Sequence, residues 1–116
     1  MLYPKNREPS LSEELFRSPT EEYRGAPWAF NCRLEKETLE KQIRILRDMG
    51  FGGFHMHVRT GLDTPYLSPE FLEDIRFCVE KAGENHMLAW LYDEDRWPSG
   101  AAGGIVTRDK AYRSRY

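Results

Sequence analysis

The chain has no apolar run longer than a few residues among its 116. A bilayer span needs roughly 20, so no transmembrane segment is expected. The start, MLYPKNREPS, lacks the apolar stretch of a secretory signal peptide. Cysteine is scarce. Cys32 and Cys78 are too few for a disulfide framework and are not spaced as a metal pair. Both sit inside apolar patterns and read as reduced core residues, which makes the cytoplasm the expected compartment. Neither sign of charge dominates: 17 Lys and Arg against 19 Asp and Glu leave −2. That gives no electrostatic case for nucleic acid or for an anionic membrane surface. Internal repeats and low-complexity segments are absent too.

What is present suits one small globular unit. Apolar residues make up 40% and charged residues 31%, which excludes disorder throughout. Aromatics are plentiful at 13%. They supply core, and they also form platforms for flat or sugar-like ligands.

Residues 1–26 are polar and interrupted by Pro4, Pro9 and Pro19, and read as an arm lying on the domain. Within the arm, Ser10 or Ser12 can cap a short helix in SLSEELF. Residues 27–34, PWAFNCRL, read as a first strand. Residues 35–49 read as a helix with a stripe of Leu39, Ile43, Leu46 and Met49, closed by Gly50 at C′. GFHMHVR, residues 53–59, alternates: Phe54, Met56 and Val58 on one face, His55, His57 and Arg59 on the other. Ser68-Pro69-Glu70 starts a helix running to about 83, with Phe71, Leu72, Ile75, Val79 and Ala82 as its buried stripe. MLAWLY, residues 87–92, reads as a buried third strand, and DEDRWPSG as the polar loop after it. Trp28 and Trp90 read as core. The tail shows no firm element. The order strand–helix–strand–helix–strand predicts an α/β fold with about three parallel strands and two helices.

A parallel strand is ordinarily apolar on both faces because helices cover both. In GFHMHVR one face instead carries His55, His57 and Arg59. The third strand ends in Asp93, Glu94, Asp95 and Arg96, and the first contributes Asn31. Polar groups thus gather at one edge, the C-terminal ends of the strands, where α/β active sites form. Gly61 and Gly100 follow the second and third strands and permit close backbone approach to a ligand. Trp97-Pro98 and Pro65-Tyr66 each fit a packing corner or a stacking platform.

The runs FRSPTEEYRGAPWAFN, GFGGFHMHVRTGLDTPYLSPEF and LAWLYDEDRWPSGAAGG resemble the N-terminal part of bacterial glycoside hydrolases related to α-L-rhamnosidases, over about residues 16–107. MHVRTGLDTPYLS and WLYDEDRWPSG carry the specificity. The resemblance implies a partial (β/α)8 TIM barrel: 1–26 as lead-in arm, 27–107 as the first βα units of the glycosidase domain, 108–116 as the tail of a truncated domain. It implies that Asn31, His55, His57, Arg59, Asp93, Glu94, Asp95 and Trp97 line a sugar pocket. Trp28 and Phe30 before Asn31 match the family's first strand. No metal or cofactor is called for, and the substrate is a carbohydrate. Glycoside hydrolysis needs two carboxyl groups flanking the bond. In related barrels they come from later strands, so the chain is expected to bind sugar and to be inactive alone.

Two other readings compete. His55-x-His57 with Asp93 or Asp95 could hold a divalent metal in an amidohydrolase-like enzyme. Alternatively the chain is a non-catalytic fragment. A full barrel takes about 250 residues, and three strands leave exposed edges that pair with another chain, so a homo-oligomer or swapped assembly is expected.

Overall fold

A computed structural model describes residues 6–27, 30–96 and 99–113. Its regular elements are helix α1 (Glu13–Arg17), a 3-10 turn (Glu21–Tyr23), helix α2 (Lys36–Asp48), strand β1 (Gly53–Val58), helix α3 (Pro69–Glu84), strand β2 (Leu88–Asp95), the short helix α4 (Ile105–Arg108) and a final 3-10 turn (Lys110–Tyr112). Among these residues no helix is long and apolar enough to cross a membrane.

The expected three-stranded start of a TIM barrel is not what forms. Among the described residues, four helices accompany a two-stranded parallel sheet, β1 beside β2. Trp28 and Ala29, in the expected first strand, lie outside the described residues; Pro27 and residues 30–34 are not strand. They do run along the outer edge of β1. The amide of His55 donates to the Pro27 carbonyl at 2.8 Å and that of Arg59 to the Phe30 carbonyl at 2.9 Å. Acceptors on one edge of a strand recur at even spacing. Pro27 and Phe30 are three apart, so the parity of a regular ladder is lost between them.

β1 and β2 pair in register from Gly53↔Leu88 to Met56↔Leu91, then slip so that Val58 meets Asp95. Four residues of β2 therefore span two of β1. The DED run lies inside β2 rather than in the loop after it.

The core lies on one face of this sheet. Phe54, Met56 and Val58 pack there with Phe30, Leu34, Leu39 and Ile43 and with Phe71, Cys78 and Ala82 of α3. Ser68 caps α3 by accepting from the Phe71 amide at 3.1 Å, with Pro69 at the first helical position. The buried stripe of α3 is Phe71, Asp74, Cys78 and Ala82; Leu72 and Val79, expected in it, are half exposed. Met49 also stands in solvent, one residue past the end of α2. Ion pairs Lys36–Glu73 (3.5 Å) and Lys81–Glu40 (3.7 Å) tie α2 to α3. Cys78 is buried as expected, while Cys32 is exposed although Phe30 and Leu34 on either side of it enter the core.

Ser12 caps α1, accepting from the Leu15 amide at 3.0 Å, yet α1 buries no residue. The arm meets the body at its far end. The Gly52 amide donates to the Gly25 carbonyl at 3.1 Å, and a Cβ on Gly52 would stand 1.9 Å from the Glu21 carbonyl oxygen.

Candidate functional site

The face of the sheet opposite the core carries four rings. His55 stacks on Trp90 with centroids 5.0 Å apart and planes 19° from parallel; His57 stacks on Tyr92 at 3.9 Å and 26°. The first pair faces directly across the ladder in register. Gly53 begins the same face. A Cβ there would meet the Leu88 carbonyl oxygen at 2.3 Å and Cζ3 of Trp90 at 2.6 Å, so the indole lies over bare backbone. His57 is buried. Burial holds its pKa below the ordinary histidine range, and the nearby Arg59 and His55 lower it further, so the ring favours its neutral form. Trp90, expected in the core, is instead a half-buried member of this row.

The strand ends build a small pocket of about 160 Å³ lined by Arg59, Gly61, Leu62, Asp63, Thr64, Pro65, Tyr66, Asp95 and Arg96. Three contacts order its lining, the first of them across its two loops. The Tyr66 hydroxyl donates to the Asp93 carbonyl at 3.3 Å. The Tyr66 ring sits edge-on to Phe71 at 5.4 Å. Arg96 donates to Asp95 at 2.8 Å. Arg59 and Asp63 also line the pocket, and neither makes an ion pair among the described residues. The Thr64 hydroxyl is buried at the same place with no hydrogen-bond partner among them. Burial raises the Tyr66 pKa above its ordinary value, with Glu94, Asp95 and Asp93 pushing the same way; the phenol stays protonated.

Glu94 is only 1% exposed. Its carboxylate accepts from five backbone amides: Asp95 (2.8 Å), Gly100 (2.8 Å), Ala101 (2.7 Å), Ala102 (2.8 Å) and Gly103. These bonds, that from Gly103 foremost, outweigh burial and pull its pKa down to about 2. A carboxylate offers about four lone-pair sites, so this one is saturated. At neutral pH it neither gives nor takes a proton and has no capacity left for a ligand.

Of the residues expected at the site, Arg59 and Asp95 line the pocket. His55 and His57 form the ring row beside it. Asp93 is exposed and contributes its carbonyl. Asn31 is exposed, with its carbonyl oxygen 2.8 Å from where a Cβ on Gly61 would be. Trp97 lies outside the described residues. Sequence reasoning placed Arg96 among the polar groups at the strand ends, but missed Asp63 and Thr64 as lining residues and missed the amides of 100–103. The run SGAAGG carries the missed signal: small residues that reach positive φ (Gly100 116°, Ala102 49°, Gly103 65°) can turn successive amides toward one anion. No group of three His, Cys, Asp or Glu side chains among the described residues could hold a metal ion. The two imidazoles that were to supply it are engaged in stacking.

No family model matches the chain, and no curated protein matches it. Among solved structures it is similar to a rhamnosidase from Novosphingobium sp. PP1Y, at 22% identity and a TM-score of 0.60. The similarity covers 78% of this chain and 9% of that one. It shows a shared fold for one segment of a much longer protein.

Proposed function

We propose that this chain belongs to a glycoside hydrolase and supplies a pocket for a neutral sugar at the C-terminal ends of β1 and β2. The observation that carries the reading is the composition of the pocket: a guanidinium (Arg59) and a carboxylate (Asp63), neither in an ion pair among the described residues, beside the buried Thr64 hydroxyl. A sugar hydroxyl donates and accepts at once, so neighbouring hydroxyls satisfy a fixed donor and a fixed acceptor together. An acidic sugar would meet Asp63 and Asp95. The volume, about 160 Å³, falls below the roughly 300 Å³ of drug-sized sites and suits part of one ring. The likeness to a rhamnosidase supports the substrate class.

In this reading Arg59 and Asp95 bind hydroxyls directly, and Asn31, His55, His57 and Asp93 extend the contact surface. Trp97, on sequence grounds, is the stacking partner. Residues 27–107 form the sugar-binding unit, 1–26 its arm and 108–116 its tail. Glu94, held ionised by five amides, is no proton donor, and the chain alone is proposed to bind without cleaving. Its unpaired cysteines suit the cytoplasm. Its exposed surface of 8617 Å² exceeds the roughly 6,600 Å² expected of a compact monomer of this mass. β2 has no second strand neighbour among the described residues. We propose that this edge joins two copies; a monodisperse monomer by light scattering would refute that.

The test of the pocket is a titration of the isotopically labelled chain with methyl α-L-rhamnoside, followed by amide chemical shifts. Perturbations should cluster at 59–66 and 95–96, and glucuronate should produce none. Shifts absent at high sugar, or gathered on the arm, overturn the proposal.

A further inference from the structure

We infer that Glu94 is a positioning residue, a built-in anion whose carboxylate organises the 100–103 turn into a support behind two pocket-lining residues, Tyr66 and Asp95, and that the turn is a genuine anion receptor. Four successive amides, Gly100 to Gly103, point at this one side chain. Such an arrangement requires positive φ. Ala102 accepts it at 49° although it has a side chain. A non-glycine residue is strained there, and the convergent bonds hold it in place. The turn then presses on the site. A Cβ on Gly103 would stand 3.0 Å from Cδ1 of Tyr66 and 3.1 Å from Cβ of Asp95, two residues that line the pocket. Without the carboxylate, four amides would face one another across an empty centre, and nothing else among the described contacts would keep the turn against Tyr66.

The ordering of the turn does not depend on what the pocket binds; only its consequence for ligand affinity rests on the sugar reading. If the turn is an anion receptor, a small free carboxylate can replace the missing side chain. In the full-length Glu94→Ala chain, amides 100–103 should exchange with solvent at least about tenfold faster than in the parent, the loss of several charge-assisted bonds. Formate or acetate should restore their protection, and chloride at equal ionic strength should not. Unchanged protection in Glu94→Ala, or lost protection that formate leaves untouched while the rest of the chain stays folded, overturns the inference.

Glu94→Gln covers the case in which the alanine chain does not fold. It keeps the volume but turns an NH₂ group toward the amides, and should lose protection at 100–103 alone. Unaltered exchange in that variant also counts against the inference. On the unaltered chain, the Glu94 carboxyl carbon should titrate well below the ordinary value of about 4.3; a midpoint at that value refutes the receptor. If these signatures hold while methyl α-L-rhamnoside perturbs nothing, the sugar reading fails and the anion receptor stands.

Discussion

The imidazole of His57 lies on the phenol ring of Tyr92, centroids 3.9 Å apart, across the two strands of the sheet. The ring so held is also buried, and burial ties its protonation to folding. The folded chain favours neutral His57, its pKa lowered by burial first and by Arg59 and His55 after it. For a group lowered in the folded state, the unfolded chain binds more protons as pH falls. Stability should therefore be full above the ordinary histidine value of about 6.5. It should decline as pH drops below that, and level off under the folded-state pKa. Urea denaturation across this window, compared with His57→Phe, checks it. The variant keeps a stacked ring and should lose the decline.

Gly53 and Gly83 should respond to alanine in opposite directions. At Gly53 the new methyl meets a backbone carbonyl oxygen and the Trp90 ring, an overpacking that costs about 1–3 kcal/mol. At Gly83, inside α3, nothing lies within 4 Å of the added carbon, and the gain in helix propensity is about 0.5–1 kcal/mol. Equilibrium unfolding of the two variants gives both signs at once.

Asp74 is buried in the stripe of α3, its Oδ2 without a hydrogen-bond partner among the described residues. Burial raises its pKa above the ordinary value, and Glu70 adds to that. A raised acid stabilises the fold below the unfolded pKa and loses that contribution as pH climbs through the folded one. Asp74→Leu should remove this loss and raise stability at neutral pH by about 1 kcal/mol, the penalty of an unsatisfied buried polar group. A less stable variant at neutral pH would show that the carboxyl has a partner in solution.

The two thiols should separate cleanly. Cys32 is exposed, while Cys78 is buried with its pKa pushed up to about 12 by burial and by Asp74. Since the thiolate is the reactive form, iodoacetamide at neutral pH should label Cys32 in the native chain and both cysteines in denaturant. Mass spectrometry of the digested protein reads the outcome.

Arg59→Ala should weaken binding of methyl α-L-rhamnoside by roughly tenfold, the loss of a charged hydrogen bond. The side chain is exposed, so the melting temperature should barely move. An unchanged affinity would remove Arg59 from the site.

Period-two patterning made β1 legible, because Phe54, Met56 and Val58 alternate with two histidines over a short span. Ser68-Pro69-Glu70 marked the start of α3 for an equally local reason. Patterning failed where apolar residues cover more than one face. Leu72 and Val79 fit a helical stripe as well as Phe71, Cys78 and Ala82 do, and only packing decides which stripe is buried. It failed again at 27–34, whose aromatic content suggests a strand while its bonding parity does not sustain one. The ring row was half visible: His55 and His57 were placed on a common face, but their partners depend on register with β2. Glu94 read as one acid among three, and its role emerges only when amides six to nine positions later fold back on it.

That short reach also bears on the order of assembly. Closing a loop of about ten residues takes on the order of 10–100 ns, whereas Gly53 and Leu88, the first partners of the sheet, are separated by 88 − 53 = 35 positions. Closure entropy grows with separation. The turn around Glu94 can thus form and re-form many times before the strands meet, which makes it a local seed at the tip of β2 rather than a late ornament on a finished sheet.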